Sequence, residues 1–148
     1  MPFQSISEFI EAKPPISLPA DLTVRDAAKV MAEHRIGAVL VVQANELVGI
    51  FTERDLVNRV VARGLNPDIT LLIQVMTKAP ETVAPDQSLA DALDIMVEKG
   101  FRHLPVVSVS ETLGVLSMRD IPLEHRLMRS NWIAAKAGMD INQAGSEH

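Results

Sequence analysis

The sequence predicts an α+β fold made of two tandem β-α-β-β-α units, related by pseudo-twofold symmetry and packed through their small sheets. Three observations predict it. The chain aligns with itself, without a gap, when shifted by 65 positions. Each copy joins an amphipathic helical period to short β-branched runs. One copy of about 45 residues is too small to bury a stable core alone, whereas two together are enough. The expected divisions are a helical flank at 1–12, the first unit at 13–66, the second unit with its connector at 67–126, and a C-terminal helix and tail at 127–148.

The repeat carries the elements with it. Lys13 falls on Lys78, Asp21 on Asp86, Asp26-Ala27 on Asp91-Ala92 and Met31 on Met96. Val41-Val42 falls on Val106-Val107, Gly49 on Gly114, and Arg54-Asp55 on Arg119-Asp120. Thr23 and Ser88 are N-caps. The helix after Thr23 sets Val24, Ala27, Ala28 and Met31 against Arg25, Lys29 and Glu33. After Ser88, Leu89, Ala92, Leu93 and Met96 oppose Asp91, Asp94 and Glu98. The apolar runs 38–42 and 104–107 are too short for helices and read as buried strands. Turns at Asn45-Glu46 and Ser110-Glu111 lead to second strands at 47–51 and 113–116, and a second helix begins at Thr52 or Ser117. The stretch 60–74 reads as a connector. Helical flanks are expected at 6–12 and 124–136, the latter anchored by Trp132. Pro122 stands near the fifth position of the second exit helix, which predicts a kink or a late start.

Composition narrows the function. Aromatic residues are 3% of the 148, so the core is aliphatic and base stacking on single-stranded nucleic acid is disfavoured. The net charge of −5 without a basic run speaks against duplex DNA. There is no Cys, hence no disulfide or thiolate metal site. No apolar run is long enough for a membrane helix, and the N-terminus lacks the pattern of a signal peptide. These features point to the cytoplasm. His34, His103, His125 and His148 show no metal spacing, and no nucleophile motif or phosphate loop appears, so no enzyme and no metal is expected.

Near the end of each copy stands one phrase: Gly49-Ile50-Phe51-Thr52-Glu53-Arg54-Asp55 and Gly114-Val115-Leu116-Ser117-Met118-Arg119-Asp120. The glycine permits close backbone approach. A hydroxyl with a carboxylate three residues later is a capping box in its simplest reading. The same carboxylate can also accept from both hydroxyls of a ribose, through charge-assisted bonds of about 1.5–3 kcal/mol each.

Two tandem units of this order, each ending in Gly-x-x-Thr/Ser-x-Arg-Asp, resemble a pair of CBS domains, named for cystathionine β-synthase and often called a Bateman module, of free-standing bacterial type. The similarity runs over about residues 13–126. The resemblance implies an adenosine-containing ligand, AMP, ADP, ATP, NAD(H) or S-adenosylmethionine, in clefts between the units. It implies that Thr52 and Asp55 hold one ribose and Ser117 and Asp120 the other. Ile16, Ser17 and Leu18, with Thr82, Val83 and Pro105, would edge the adenine, mostly through backbone groups.

The copies differ where the family places phosphate ligands. The second reads Phe101-Arg102-His103-Leu104-Pro105-Val106, matching the family's Arg-His-x-Pro-Val, and the first reads Ile36-Gly37-Ala38-Val39-Leu40-Val41, with neither cation nor proline. Arg102 and His103 are therefore the phosphate candidates. Arg54 and Arg119, which oppose the dipoles of their helices, are further ones, and Lys13 and Lys78 weaker ones. Unequal clefts follow, and the sequence leaves open which acid, Asp55 or Asp120, shares a site with Arg102 and His103.

The expected function is a regulatory adenine-nucleotide-binding module that senses energy or cofactor state and modulates a partner protein through dimer rearrangement. The alternative is a ligand-independent structural or interaction module whose Thr/Ser-x-Arg-Asp motifs only cap helices. A homodimer is expected because the exit helix carries Leu56, Val57, Val60 and Val61.

Overall fold

The computed structural model describes residues 5–10, 15–109, 111–121, 124 and 126, the side chain of Asp120 excepted. The first unit runs β1 (Ser17–Pro19), α1 (Val24–His34), β2 (Ala38–Gln43), β3 (Glu46–Thr52), α2 (Glu53–Asp55) and a π-helical continuation (Leu56–Val61). After a loop come α3 (Leu72–Val75) and β4 (Thr77–Lys78), then α4 (Leu89–Lys99), β5 (His103–Ser108) and β6 (Glu111–Ser117).

Each long helix begins as its sequence dictates. Thr23 accepts the Asp26 amide at 3.2 Å and Ser88 accepts the Asp91 amide at 3.1 Å. α1 ends on Arg35 at φ 55°, and α4 on Gly100 at φ 75°, both left-handed caps. β2 and β3 pair antiparallel through a turn in which Ala44 and Asn45 take positive φ, the geometry that suits the strands' twist. β1 joins β2 in parallel and β4 joins the far side of β3. The β5–β6 hairpin repeats this arrangement, down to a bulge after Val106 that matches the one after Val41. A single parallel bridge between Val83 and Val106 stands where β1 meets β2.

Three apolar clusters hold the fold. Val24, Ala27 and Met31 of α1 pack on Val39, Val41 and Phe51. Leu89, Ala92, Leu93 and Met96 of α4 pack on Leu104, Val106 and Leu116. Ala38, Leu40 and Ile50 on the opposite face of the first sheet meet Val115 of the second. β2 is thus covered on both faces, which explains its unbroken apolar run. This is the α+β fold of two similar units joined through their sheets.

The segment entering each unit crosses to the other. Leu72, Val75 and Met76, which precede β4, complete the first core. Ile6, fully buried, completes the second core with Phe9 and Ile10. Backbone bonds repeat the exchange: the Leu72 amide donates to the Leu22 carbonyl, and the Ile6 amide to the Gln87 carbonyl. The described part of the expected flank at 6–12 holds a 3-10 turn, Ile6–Glu8, inserted into the second unit, and the expected connector contributes α3 to the first core. The two glycines serve this crossing. A Cβ on Gly49 would lie 2.4 Å from the Met76 sulfur, and one on Gly114 would lie 2.6 Å from Ile10 Cγ2.

The exits of the two units differ. After Thr52 the chain turns directly into α2 and its π continuation, in which the Ala62 amide reaches back to the Val57 carbonyl. After Ser117 it makes only a 3-10 turn, Met118–Asp120, and Ile121 is extended at φ −82°, ψ 125°. A residue before proline is driven out of helical conformation, so Pro122 delays the helix. Glu124 and Arg126 are helical. The remainder of the expected C-terminal helix, with Trp132, lies outside the described residues.

Candidate functional site

The β3-to-α2 junction builds an acidic corner. Thr52 is half-buried, and its hydroxyl accepts the Asp55 amide at 3.1 Å. Asp55 is 8% exposed, and its Oδ2 accepts the Thr52 amide at 3.0 Å. The capping box predicted as the simplest reading is formed. It uses one lone pair of the carboxylate. Oδ1 lies 3.6 Å from Arg59 Nε, one helical turn on. The Asp55 carboxylate has acceptor sites beyond those two partners.

This corner faces a cleft of about 820 Å³ between the units. Ile50, Thr52, Arg54, Asp55 and Arg59 line it from the first unit. Thr77 lines it from β4, beside Ile50 in the same sheet, and Pro80, Glu81, Phe101, Arg102 and His103 line it from the loops and β5 of the second unit. The fold therefore brings Arg102 and His103 to Thr52 and Asp55, the pairing left open by the sequence. Most charges here have partners. Arg54 donates to the Gly100 carbonyl at 3.1 Å, and Glu81 pairs with Lys99. Arg102 is exposed and makes no side-chain hydrogen bond or ion pair with the described residues. Its carbonyl accepts the Met118 amide at 2.8 Å, which fixes its backbone at the mouth of β5.

A smaller cleft of about 320 Å³ lies beside Arg35, Ile36, Gly37, Glu53 and Arg119. Gly37 holds the repeat position of Arg102, and Ala38 that of His103. Glu53 folds over the glycine, where a Cβ would lie 2.8 Å from its Oε1, and pairs with Arg119 at 3.8 Å. The arginine equivalent to Arg54 is thus engaged by a carboxylate. Ser117 accepts the Arg119 amide at 3.3 Å, and the Asp120 side chain lies outside the described residues.

Other expected site residues sit elsewhere. Ile16 and Leu18 turn into the first core, and Ser17 is exposed on β1. Val83 is 2% exposed in the second core, Pro105 is buried beside it, and Thr82 is exposed. None of these six lines either cleft. Lys78 is exposed on β4 and lines neither, and Lys13 lies outside the described residues. Sequence reasoning missed Ile50, Thr77, Pro80, Phe101 and Arg59. Arg59 alone had a signal, its spacing of four from Asp55 on a helix. Among the described residues no group of His, Asp and Glu has the arrangement of a metal site, and no helix is long and apolar enough to cross a membrane.

Comparison with known proteins agrees with this architecture. The model of the CBS domain matches at residues 6–62 and again at 72–121, so the family unit includes the crossing segments. A CBS domain-containing protein of Arabidopsis thaliana is 41% identical over 104 residues, covering 70% of this chain and 19% of the relative. An uncharacterised 17.7 kDa protein of Acidianus ambivalens is 40% identical over 103 residues, 68% of this chain and 61% of the relative. The chain thus spans less than two thirds of the length of these curated relatives. Among solved structures, a proposed signal-transduction protein with CBS domains from Burkholderia ambifaria superposes with a TM-score of 0.75 at 34% identity, over 79% of this chain and 90% of that one. A CBS domain protein of Pyrobaculum aerophilum, solved in complex with AMP, gives 0.75 at 29% identity, over 84% and 95%. The internal repeat, the crossed entry segments and the two family matches lead to one conclusion: the chain is a tandem pair of CBS domains and belongs to that family.

Proposed function

We propose that the chain is a non-catalytic regulatory module that binds one adenosine-containing nucleotide in the larger cleft. The observation that carries this is the convergence of a ribose-type acid from one unit with a phosphate-type cation pair from the other: Asp55 with Thr52, facing Arg102 with His103. In this reading Asp55 accepts from the ribose hydroxyls, and Arg102 and His103 hold phosphate, with Arg54 beside them. Ile50, Thr77 and Pro80 supply the apolar edge for the base. The AMP held by the Pyrobaculum relative supports an adenylate of this class. The smaller cleft, with Gly37 for Arg102 and Glu53 across Arg119, is the weaker site, where Ser117 and Asp120 would act. Exposed Val57 and Val61 on the exit helix support a homodimer through which binding is passed to a partner protein.

Thermal unfolding with AMP, ADP, ATP, S-adenosylmethionine and NADH tests the reading. A ligand at about 100 times its Kd adds about 2.7 kcal/mol. At least one of the five shifts the transition, and Arg102→Ala removes the shift. No shift with any of them removes the nucleotide from the function. The second reading, a constitutive interaction module, rests on the formed capping box, because a cap alone also accounts for the Thr52–Asp55 pair.

A further inference from the structure

We propose that Arg59 is a positioning residue of the larger cleft, a single side chain that fixes the Asp55 carboxylate and the backbone leading into β4, the strand beside β3. The proposal rests on the nucleotide reading above. Arg59 Nε lies 3.6 Å from Asp55 Oδ1, while Nη1 donates to the carbonyls of Val75 at 3.2 Å and Met76 at 2.9 Å. Those carbonyls end α3 and lack intrahelical donors, so a guanidinium there satisfies orphan acceptors. The next residue, Thr77, opens β4 and lines the cleft. The planar fork can therefore hold the acid and the crossing segment at once, which a lysine ammonium does less well.

Two features tie this to the site rather than to the fold in general. The guanidinium engages the carboxylate oxygen that the Thr52 amide leaves open. The repeat position of Arg59 in the second unit is Glu124, an acid, which cannot make the same link. Among the described residues the staple stands at the cleft that holds Arg102 and His103 and not at the other.

The test is calorimetric binding of AMP and 2′-deoxy-AMP to the full chain and to Arg59→Gln, Arg59→Lys, Asp55→Ala and the Asp55→Ala/Arg59→Gln double variant. Arg59→Gln is expected to weaken AMP about tenfold, the scale of one misaligned charge-assisted bond, and 2′-deoxy-AMP, which keeps only the 3′-hydroxyl for Asp55, by about threefold. In the Asp55→Ala background it adds no further loss. Arg59→Lys falls between, and it supplies the comparison if Arg59→Gln does not fold, with the preference for AMP reduced. Equal weakening of both nucleotides, or an undiminished effect without Asp55, overturns the positioning role and leaves the nucleotide reading standing. Absence of AMP and 2′-deoxy-AMP binding in the wild-type chain, with another ligand binding independently of Asp55, overturns both.

Discussion

Asp55→Asn separates the two roles that one carboxylate can play. Asparagine keeps an oxygen for the Thr52 amide, so the cap survives, but it surrenders the negative charge and one acceptor atom. The stability cost is then small. Loss of charge at the helix start costs about 0.3–1 kcal/mol. The pair with Arg59, at 3.6 Å and with the arginine side chain 39% exposed, contributes at most about 1 kcal/mol. Asp55→Ala also loses the cap, which adds about 1 kcal/mol. At this chain length each kcal/mol moves the unfolding midpoint by roughly 4 °C. Binding responds differently. Bonds from two ribose hydroxyls to a carboxylate of about 1.5–3 kcal/mol each become one neutral bond of about 1 kcal/mol, with an amide N–H facing the second hydroxyl.

The expected result is a protein whose midpoint falls by only a few degrees, while the Kd for AMP rises at least about 30-fold. Unfolding followed by circular dichroism and titration calorimetry on the same samples give the two numbers. Asp55→Asn binding AMP within about twofold of wild type, with Asp55→Ala merely less stable, would falsify the ribose role and leave the acid as a cap.

Three further outcomes follow from the packing and the surface. Ile6→Ala, remote in sequence from the core it fills, costs about 2–5 kcal/mol in urea unfolding, as does Leu72→Ala; a loss below about 0.5 kcal/mol for either contradicts the crossed arrangement. Gly49→Ala and Gly114→Ala each cost about 1–3 kcal/mol, but only the second is recovered by trimming its neighbour, in Gly114→Ala/Ile10→Ala. At Gly49 the Thr77 carbonyl, 2.9 Å from the added Cβ, remains after Met76→Ala, so equal rescue at both sites would refute the geometry. The hydrogen bond from Arg25 holds the exposed Asp68 carboxyl below its ordinary value, so its contribution is complete above about pH 4 and is lost as the pH falls through the lowered value. A carboxyl titration by NMR that places Asp68 at or above an ordinary aspartate contradicts the pair.

The duplicated core was legible because identity and periodicity agree from Lys13 to Asp55. The crossing was not. Ile6 corresponds to Leu72 by its backbone bonds, a shift of 66, one out of register with the rest, and the paired segments share little identity. Nothing local tells an apolar segment which core to enter; that is decided by which core is left unfilled. The motif residues Thr52 and Asp55 were readable because a turn needs them in a fixed pattern. The cleft's apolar edge, Ile50, Thr77 and Pro80, was not, because it is defined by two strands meeting across 27 residues of chain. The side chains of Ile16, Leu18 and Val83 serve the cores, which leaves only their backbone groups for the expected adenine edge.

The two copies have diverged in complementary places, and the pattern argues for a single working cleft. The first copy keeps a clean strand-to-helix exit, with its capping box and Arg59, but has Gly37 and Ala38 at its entry to β2. The second keeps Arg102 and His103 at its entry to β5, but Pro122 spoils its exit. Because pseudo-twofold packing sets the exit of one copy against the entry of the other, both intact halves fall on the same cleft and both degraded halves fall away from it. Random divergence would as readily have broken one half of each cleft. Grafting Gly37→Arg with Ala38→His is therefore expected to create no second site while Glu53 occupies the glycine and Ser117 leads into a 3-10 turn rather than directly into an α-helix. A calorimetric stoichiometry of two per chain for that variant would show that the entry cations alone decide binding.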